Sequence, residues 1–173
     1  MNSVKSDLNR EIKENSVLRL EENLLKIQKC IASLSEEEVW HRPNKASNSI
    51  GNLMVHLCGN VTQYILAGLD GREDVRKRDE EFSVEGGFVK EELFTRLSDL
   101  IEEVKEVIMA LTEEQLTRQY KVQGFDLSGF GILLHVVEHF SYHTGQIAFW
   151  VKYLKDKDLQ FYRGLDLNKK NNT

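Results

Sequence analysis

A chain of 173 residues, 40% hydrophobic and 29% charged, is long enough to bury a core without covalent staples. Its formal net charge is −5, with acidic and basic residues mixed along the sequence, so it lacks the basic field that nucleic acid binding requires. Its two cysteines, Cys30 and Cys58, form neither a C-x-x-C pair nor a disulfide framework and read as buried free thiols.

Met1 to Asn15 is charged throughout and offers no apolar run of the signal-peptide kind. A first helix is expected over Asp7 to Leu34, where Val17, Leu20, Leu24, Ile27, Ile31 and Leu34 recur at helical spacing. Trp40 and His41 follow in a loop, with the one proline, Pro43, beside them. A second helix starts near Asn48 and carries Ile50, Leu53, Leu57, Val61 and Tyr64 on one stripe to about Leu69. The Arg- and Glu-rich run Asp70 to Gly87 reads as a solvated loop, as charge runs usually are. A third helix, Lys90 to Leu111, places Leu93, Leu97, Leu100, Val104, Val107 and Leu111 on one face. Tyr120 to Leu127 is short and extended. A fourth helix, Ser128 to Lys155, is apolar nearly all round, which predicts the most buried element.

No linker divides these elements, so residues 1–173 are expected to form one domain with an ordered core over 7–160 and a polar, disordered tail over Asn168 to Thr173. The densest apolar stretch, Ile132 to Val137, is interrupted by His135 and falls far short of the roughly 20 residues that span a bilayer. A cytoplasmic protein without a membrane partner is the expectation.

The halves echo each other. Leu34-Ser35-Glu36-Glu37-Glu38-Val39 and Leu111-Thr112-Glu113-Glu114-Gln115-Leu116 both read as capping boxes, and each precedes a Ser that stands seven residues before a His: Ser49 and His56, Ser128 and His135. A duplicated helix pair would give this pattern, and so would chance matches of common residue types.

His135, His139 and His143 stand four apart on the fourth helix. Four residues advance a helix by about 400°, so neighbours in this series share a face one turn apart, and two such imidazoles can converge on one ion. A third ligand must come from elsewhere, because two alone seldom hold a metal. His56 is the candidate, at the edge of the second helix's apolar stripe. Asn60 and Gln63 share its face and can hydrogen-bond an imidazole or a bound ligand; on the fourth helix Gln146 and Trp150 share the histidine face, as partner and pocket wall. A lone histidine on an apolar helix is more often a satisfied core residue. Three in register, each needing its own buried partner, favour a metal site.

The segments Ser49-Ile50-Gly51-Asn52-Leu53-x-x-His56-Leu57 and His139-x-x-x-His143-x-Gly145-Gln146-Ile147 together resemble the DinB/YfiT-like family of metalloenzymes. Cys58-Gly59-Asn60 and the Gly71-Arg72-Glu73-Asp74 to Phe82 loop are similar to its DUF1572 branch, and the resemblance extends over Asp7 to Lys155. It implies an all-α four-helix bundle with a long crossover connection and a metal site of His56, His139 and His143, with His135 a companion rather than a ligand. It also implies a homodimer, and relatives acting on substrates attached to low-molecular-weight thiols such as bacillithiol, mycothiol or glutathione. Thr144 stands where the family commonly has Arg, which removes one anion contact. The echo between His56 and His135 argues the other way on which histidines ligate.

Three neutral imidazoles leave zinc or nickel with a net positive charge and an open position, as catalytic sites do. The expected function is a metal-dependent S-transferase that activates a low-molecular-weight thiol toward a small electrophile. The alternatives are a metal-dependent hydrolase and a non-catalytic metal- or small-molecule-binding stress protein. The sequence singles out no catalytic acid or base: Glu138 lies about 100° around the helix from His139. Arg72, Arg76 and Arg78 are candidates to meet the carboxylates of an anionic thiol if their loop reaches the pocket.

Overall fold

The structure, a computed structural model, describes the backbone of residues 2–171 and the side chains of 7–171; Asn172 and Thr173 of the expected disordered tail lie outside the described residues. Four long helices dominate: α1 Asn2–Ile31, α3 Ile50–Val61, α5 Lys90–Ala110 and α7 Gly129–Lys155. The short helices α2 Glu36–Trp40, α4 Arg78–Ser83 and α6 Glu113–Thr117 and a hairpin of β1 Gln119–Val122 and β2 Phe125–Ser128 connect them.

Both echoed motifs form capping boxes, at Ser35 with Glu38 and at Thr112 with Gln115. Each starts a short helix of its own, α2 or α6, separated from the preceding long helix by residues 32–35 or 111–112. The echoed serines are also N-caps: Ser49 Oγ accepts from the Asn52 N–H at 3.0 Å, and Ser128 Oγ from the Gly131 N–H at 3.0 Å. His56 and His135 are thus the same distance into their helices.

Cross-chain contacts fix the helix directions. Lys13 reaches the carbonyls of Met109 and Leu111 while Lys105 reaches Glu21, so α1 and α5 are antiparallel. Tyr64 lies beside His135 and Leu53 beside Gln146, so α3 and α7 are antiparallel. Residues 11–19 face residues 130–137, and Lys155 at the end of α7 pairs with Glu38 just after α1, so these two run together. The order is up, down, down, up. Since α3 and α5 are parallel, residues 68–89 return along the whole bundle, and this is the long crossover. The chain forms the helical bundle that the resemblance implied.

The core matches the expected stripes on α1 and α3, where Leu20, Ile27, Ile50, Leu57, Val61 and Tyr64 are at most 1% exposed. Burying each such aliphatic side chain contributes about 1.5–3 kcal/mol. On α5 the stripe is rotated from the expected one: Leu93, Leu97, Ile101, Val104 and Ile108 are buried, while Leu100 and Val107 are only partly so.

Three expectations need correction. The second helix does not continue as α-helix to Leu69. After Val61 it widens into a π-helical turn over Thr62–Ala67, with Gly68 N–H bonded to Gln63 O and Asp70 N–H to Ile65 O. The extra residue in this turn lets the consecutive Tyr64, Ile65 and Leu66 all be buried, and such turns recur at functional sites. The fourth helix is not buried all round, because Leu134, Tyr142, Phe149 and Tyr153 are exposed on one stripe. The Asp70 to Gly87 run is not simply a solvated loop, since it contains α4 and buries Glu81. Among the described residues no helix is long and apolar enough to cross a membrane.

Candidate metal centre

His56 lies on the second turn of α3, and His139 and His143 lie one turn apart on α7, which is packed against it. Their ligand nitrogens all fall within 4.8 Å of one another. His56 Nε2 is 2.8 Å from His139 Nε2, and the rings of His139 and His143 meet edge to face at 4.5 Å. A tetrahedral ion with bonds of about 2.0–2.1 Å holds its ligand atoms about 3.3 Å apart, so small ring rotations bring the three nitrogens onto one ion. The group can hold a metal ion.

Two contacts fix which nitrogen faces inward. His56 Nδ1 lies 2.7 Å from Glu81 Oε2, and His143 Nδ1 lies 2.7 Å from Gln146 Oε1. Each oxygen accepts the Nδ1 proton, which leaves Nε2 of both rings as a lone pair toward the centre, the arrangement that orients metal-ligating histidines. Glu81 is itself held. Arg76 donates through Nε to Oε1 at 2.7 Å and through Nη2 to Oε2 at 2.8 Å, and Arg76 and Glu81 side chains are 4% and 7% exposed. Gln63 accepts from Arg76 Nη1 at 2.7 Å and donates to Asp74. Asn52 donates to the carbonyls of Glu81 and Val84, and Arg42 to that of Phe82, so α4 is tied down along its length. Phe82 covers the His56 ring at 4.7 Å.

This arrangement needs a glycine. A Cβ on Gly59 would lie 1.9 Å from Glu81 Oε1 and 2.7 Å from its Cδ, so Gly59, one turn from His56 on α3, is the gap through which the carboxylate reaches the imidazole.

The electrostatics favour neutral ligands. Burial pushes the His139 pKa down to about 3, and the neighbouring His143, His56, His135 and Arg76 push the same way. His143 is also lowered, by burial first and His56 second, against the opposing bond from Gln146. Burial raises Glu81, but the hydrogen bonds and charges of Arg76 and His56 outweigh it and hold the carboxyl below the usual range.

The structure divides the remaining candidates. Gln146 meets His143 as expected. Gln63 serves Arg76 rather than an imidazole. Asn60 is buried, its Nδ2 3.5 Å from His135 Nε2. His135 stacks between Tyr64 at 4.2 Å and His139 at 5.4 Å and does not join the converging trio. Trp150 lines a separate groove with Gln146 and Phe149, its ring stacked on Tyr153 and beside the exposed His41. Thr144 is buried and donates to Phe140 O at 2.8 Å, away from any ligand. Arg72 pairs with Asp70 and Glu103, whereas Arg76 and Arg78 do reach the pocket. Glu81 and Arg76 were missed as partners of His56, because nothing in their local sequence separates them from a solvated charge run.

A cavity of about 390 Å³ opens beside two of the three histidines, lined by His56, Asn60, Arg76, Arg78, Gln123, Phe125, His135 and His139. Burial pushes the Cys30 and Cys58 thiols up to about 12, so neither is a nucleophile at neutral pH.

The family model "Protein of unknown function (DUF1572)" matches residues 7–165. No curated protein matches the sequence. Among solved structures, a DinB-like protein, YjoA, from Bacillus subtilis is 18% identical, with a TM-score of 0.64 over 88% of this chain and 97% of its own. A conserved protein from Enterococcus faecalis is 19% identical, with a TM-score of 0.63 over 88% of this chain and 98% of its own. These likenesses are of fold, and with the family match over most of the sequence they give the identification: the chain is a member of the DUF1572 family with a DinB-like helical bundle fold.

Proposed function

We propose that the chain is a metal-dependent enzyme that activates a low-molecular-weight thiol of the bacillithiol type and transfers it to a small electrophile. The observation that carries this reading is the set of three converging histidines at the edge of a cavity that His56 and His139 line, with two of the rings fixed by outer partners. A bound zinc or nickel ion supplies positive charge that lowers a thiol's pKa from its free value of about 8.5 toward neutrality. His56, His139 and His143 hold that ion, and Glu81 and Gln146 hold the rings. Asn60 and His135 form the wall against which the thiol's substituent rests. The chain's own thiols are too basic to attack, so the sulfur is brought in from outside.

Metal-dependent hydrolysis ranks second: a bound ion would acidify water as it would a thiol, but among the described residues the cavity wall carries no carboxylate to assist, Glu81 being committed to Arg76 and His56. A non-catalytic metal-binding role is the third reading. Zinc- or nickel-loaded protein with bacillithiol and a halobimane tests all three. Transfer lost in His139→Ala supports the proposal. Transfer that survives that change refutes it, turnover of an ester without added thiol favours the hydrolase, and metal binding without turnover leaves the binding role.

The same reading includes a homodimer. Leu134, Tyr142, Phe149 and Tyr153, 56–72% exposed, lie along one stripe of α7, and contiguous apolar surface of this kind marks an interaction face. Gly145 sits in the stripe with open space where a Cβ would go, although glycine within a helix costs about 1 kcal/mol relative to alanine. A second copy packed against this face accounts for both. Sedimentation should give a dimer for the native chain and a monomer for Phe149→Asp; a native monomer rejects this part.

A further inference from the structure

The cavity over the histidines is unequal in charge. Two arginines line it and no carboxylate does. Arg76 is neutralised by its two bonds to Glu81. Arg78 is different: among the described residues its guanidinium makes no ion pair and rests instead over the Phe82 ring, 4.9 Å from the centroid. That ring lies against His56 at 4.7 Å, so Arg78 stands one aromatic thickness from a ligand imidazole. Seating on a ring orients the flat guanidinium and leaves its N–H edges open to a planar anion.

The other walls are also incomplete. Asn60 is 3% exposed, and its Oδ1 makes no hydrogen bond among the described residues, an expensive state for a buried acceptor that a bound molecule with a donor would relieve. Across the mouth, the tip of the β1–β2 hairpin holds Phe125 at 59% exposure beside Gln123. Gln123 has a positive φ of 52° and accepts from Tyr64 at 2.9 Å, which pins the hairpin tip to the π-helical turn. Imidazole ligands carry no negative charge, so a bound divalent ion would deepen the bias toward anions.

We infer that this cavity recognises a small organic anion whose carboxylate is gripped by Arg78 while its other end reaches the histidine centre. The inference deepens the proposed thiol chemistry and rests on it for the identity of that other end. Thr144 makes no contact there, and the crossover supplies the cation instead. Arg78 acts in binding, so its loss raises KM more than it lowers kcat.

Calorimetry and cobalt spectra on cobalt-loaded protein test this with matched probes: 6-mercaptohexanoate, its neutral analogue 6-mercaptohexanol, and sulfur-free adipate. The acid should bind about fivefold more tightly than the alcohol, the contribution of one charge pair at a half-open site, and Arg78→Gln, a change on an exposed side chain, should erase the difference. Equal affinity of acid and alcohol in the native chain, or a preference that survives Arg78→Gln, overturns the inference, even with a sulfur-to-cobalt band that keeps the thiol reading. Binding of acid and adipate that Arg78→Gln weakens by a similar factor, without such a band, keeps the anion site and rejects the thiol chemistry. No binding of any probe rejects both.

Discussion

Replacing Glu81 by Gln changes one atom in the environment of His56, a candidate metal ligand. The native carboxylate accepts the His56 Nδ1 proton at 2.7 Å and two bonds from Arg76. Gln retains a carbonyl for one of these and withdraws the negative charge. Partners of this kind are worth 10–100-fold in metal affinity, about 1.4–2.8 kcal/mol, and the variant should fall in that range. Stability drops as well, since the Arg76 guanidinium is left buried without its counter-charge. Competition against a chromophoric chelator gives the zinc affinity, and circular dichroism shows whether the helices persist. Gly59→Ala is the control that alters no charge. It improves helix propensity by about 1 kcal/mol, yet its Cβ occupies the place of Glu81 Oε1, so it should weaken zinc binding by a similar factor through displacement alone. A Glu81→Gln protein that binds zinc within twofold of the native chain, under conditions where His139→Ala does not bind, refutes the orienting role of the carboxylate.

The ion-free protein should lose stability in acid, because the His139 pKa falls from about 6.5 to about 3 on folding. Between those values the unfolded chain binds a proton that the folded chain does not, so stability is full above pH 6.5 and declines as pH falls toward 3. Glu81, also lowered, adds a decline of the same sign below about 4.5. Urea titrations from pH 7 to 4 should show this slope, flattened in His139→Ala; an unchanged slope removes His139 as its source. Zinc should raise the melting temperature of the native chain, by about 2.7 kcal/mol of added stability at a hundredfold excess over Kd, and calorimetry of His139→Ala should show no such rise. Ser49→Ala removes the cap of α3 and the buried bond to Asn52 Oδ1, and chemical denaturation should register a loss of about 0.5–2 kcal/mol.

The four long helices were legible because each buries a stripe whose period is a property of the chain alone. The histidine trio was legible in part. Spacing along one helix brings His139 and His143 together; His56 was a candidate from its helix stripe and from the resemblance, but it meets them only through the antiparallel packing of α3 on α7, which no local pattern encodes. The echo of His56 and His135 is real at the caps, since Ser49 and Ser128 both start helices. It does not carry over to the converging group because the two positions lie at different heights on antiparallel helices: His135 comes level with Asn60 and Tyr64, about one turn beyond His56. Glu81 and Arg76 were illegible for a different reason. A six-residue helix has too few turns to show a period, and a buried ion pair has the same composition as an exposed one.

The connection between α3 and α5 explains why the outer partners of the centre lie where sequence patterns are weakest. Two consecutive parallel helices oblige the chain to travel back along the bundle, so residues 68–89 pass alongside the helix that carries His56. Asp74 contacts Gln63, Glu81 contacts His56 and the Val84 carbonyl contacts Asn52, an antiparallel run past successive turns of α3. The crossover is therefore held by polar bonds to the face of α3 that presents the ligand, where an ordinary loop would be free. The coupling runs both ways. A bound ion fixes the His56 ring and so favours the Glu81–Arg76 pair, and through it the ordered crossover that also carries Arg78 over Phe82. Amide exchange in residues 74–84 should slow when zinc binds, with less change at residues 11–19 of α1, which face residues 130–137; equal slowing in both segments would mean that the ion stabilises the bundle as a whole and that the crossover has no special link to it.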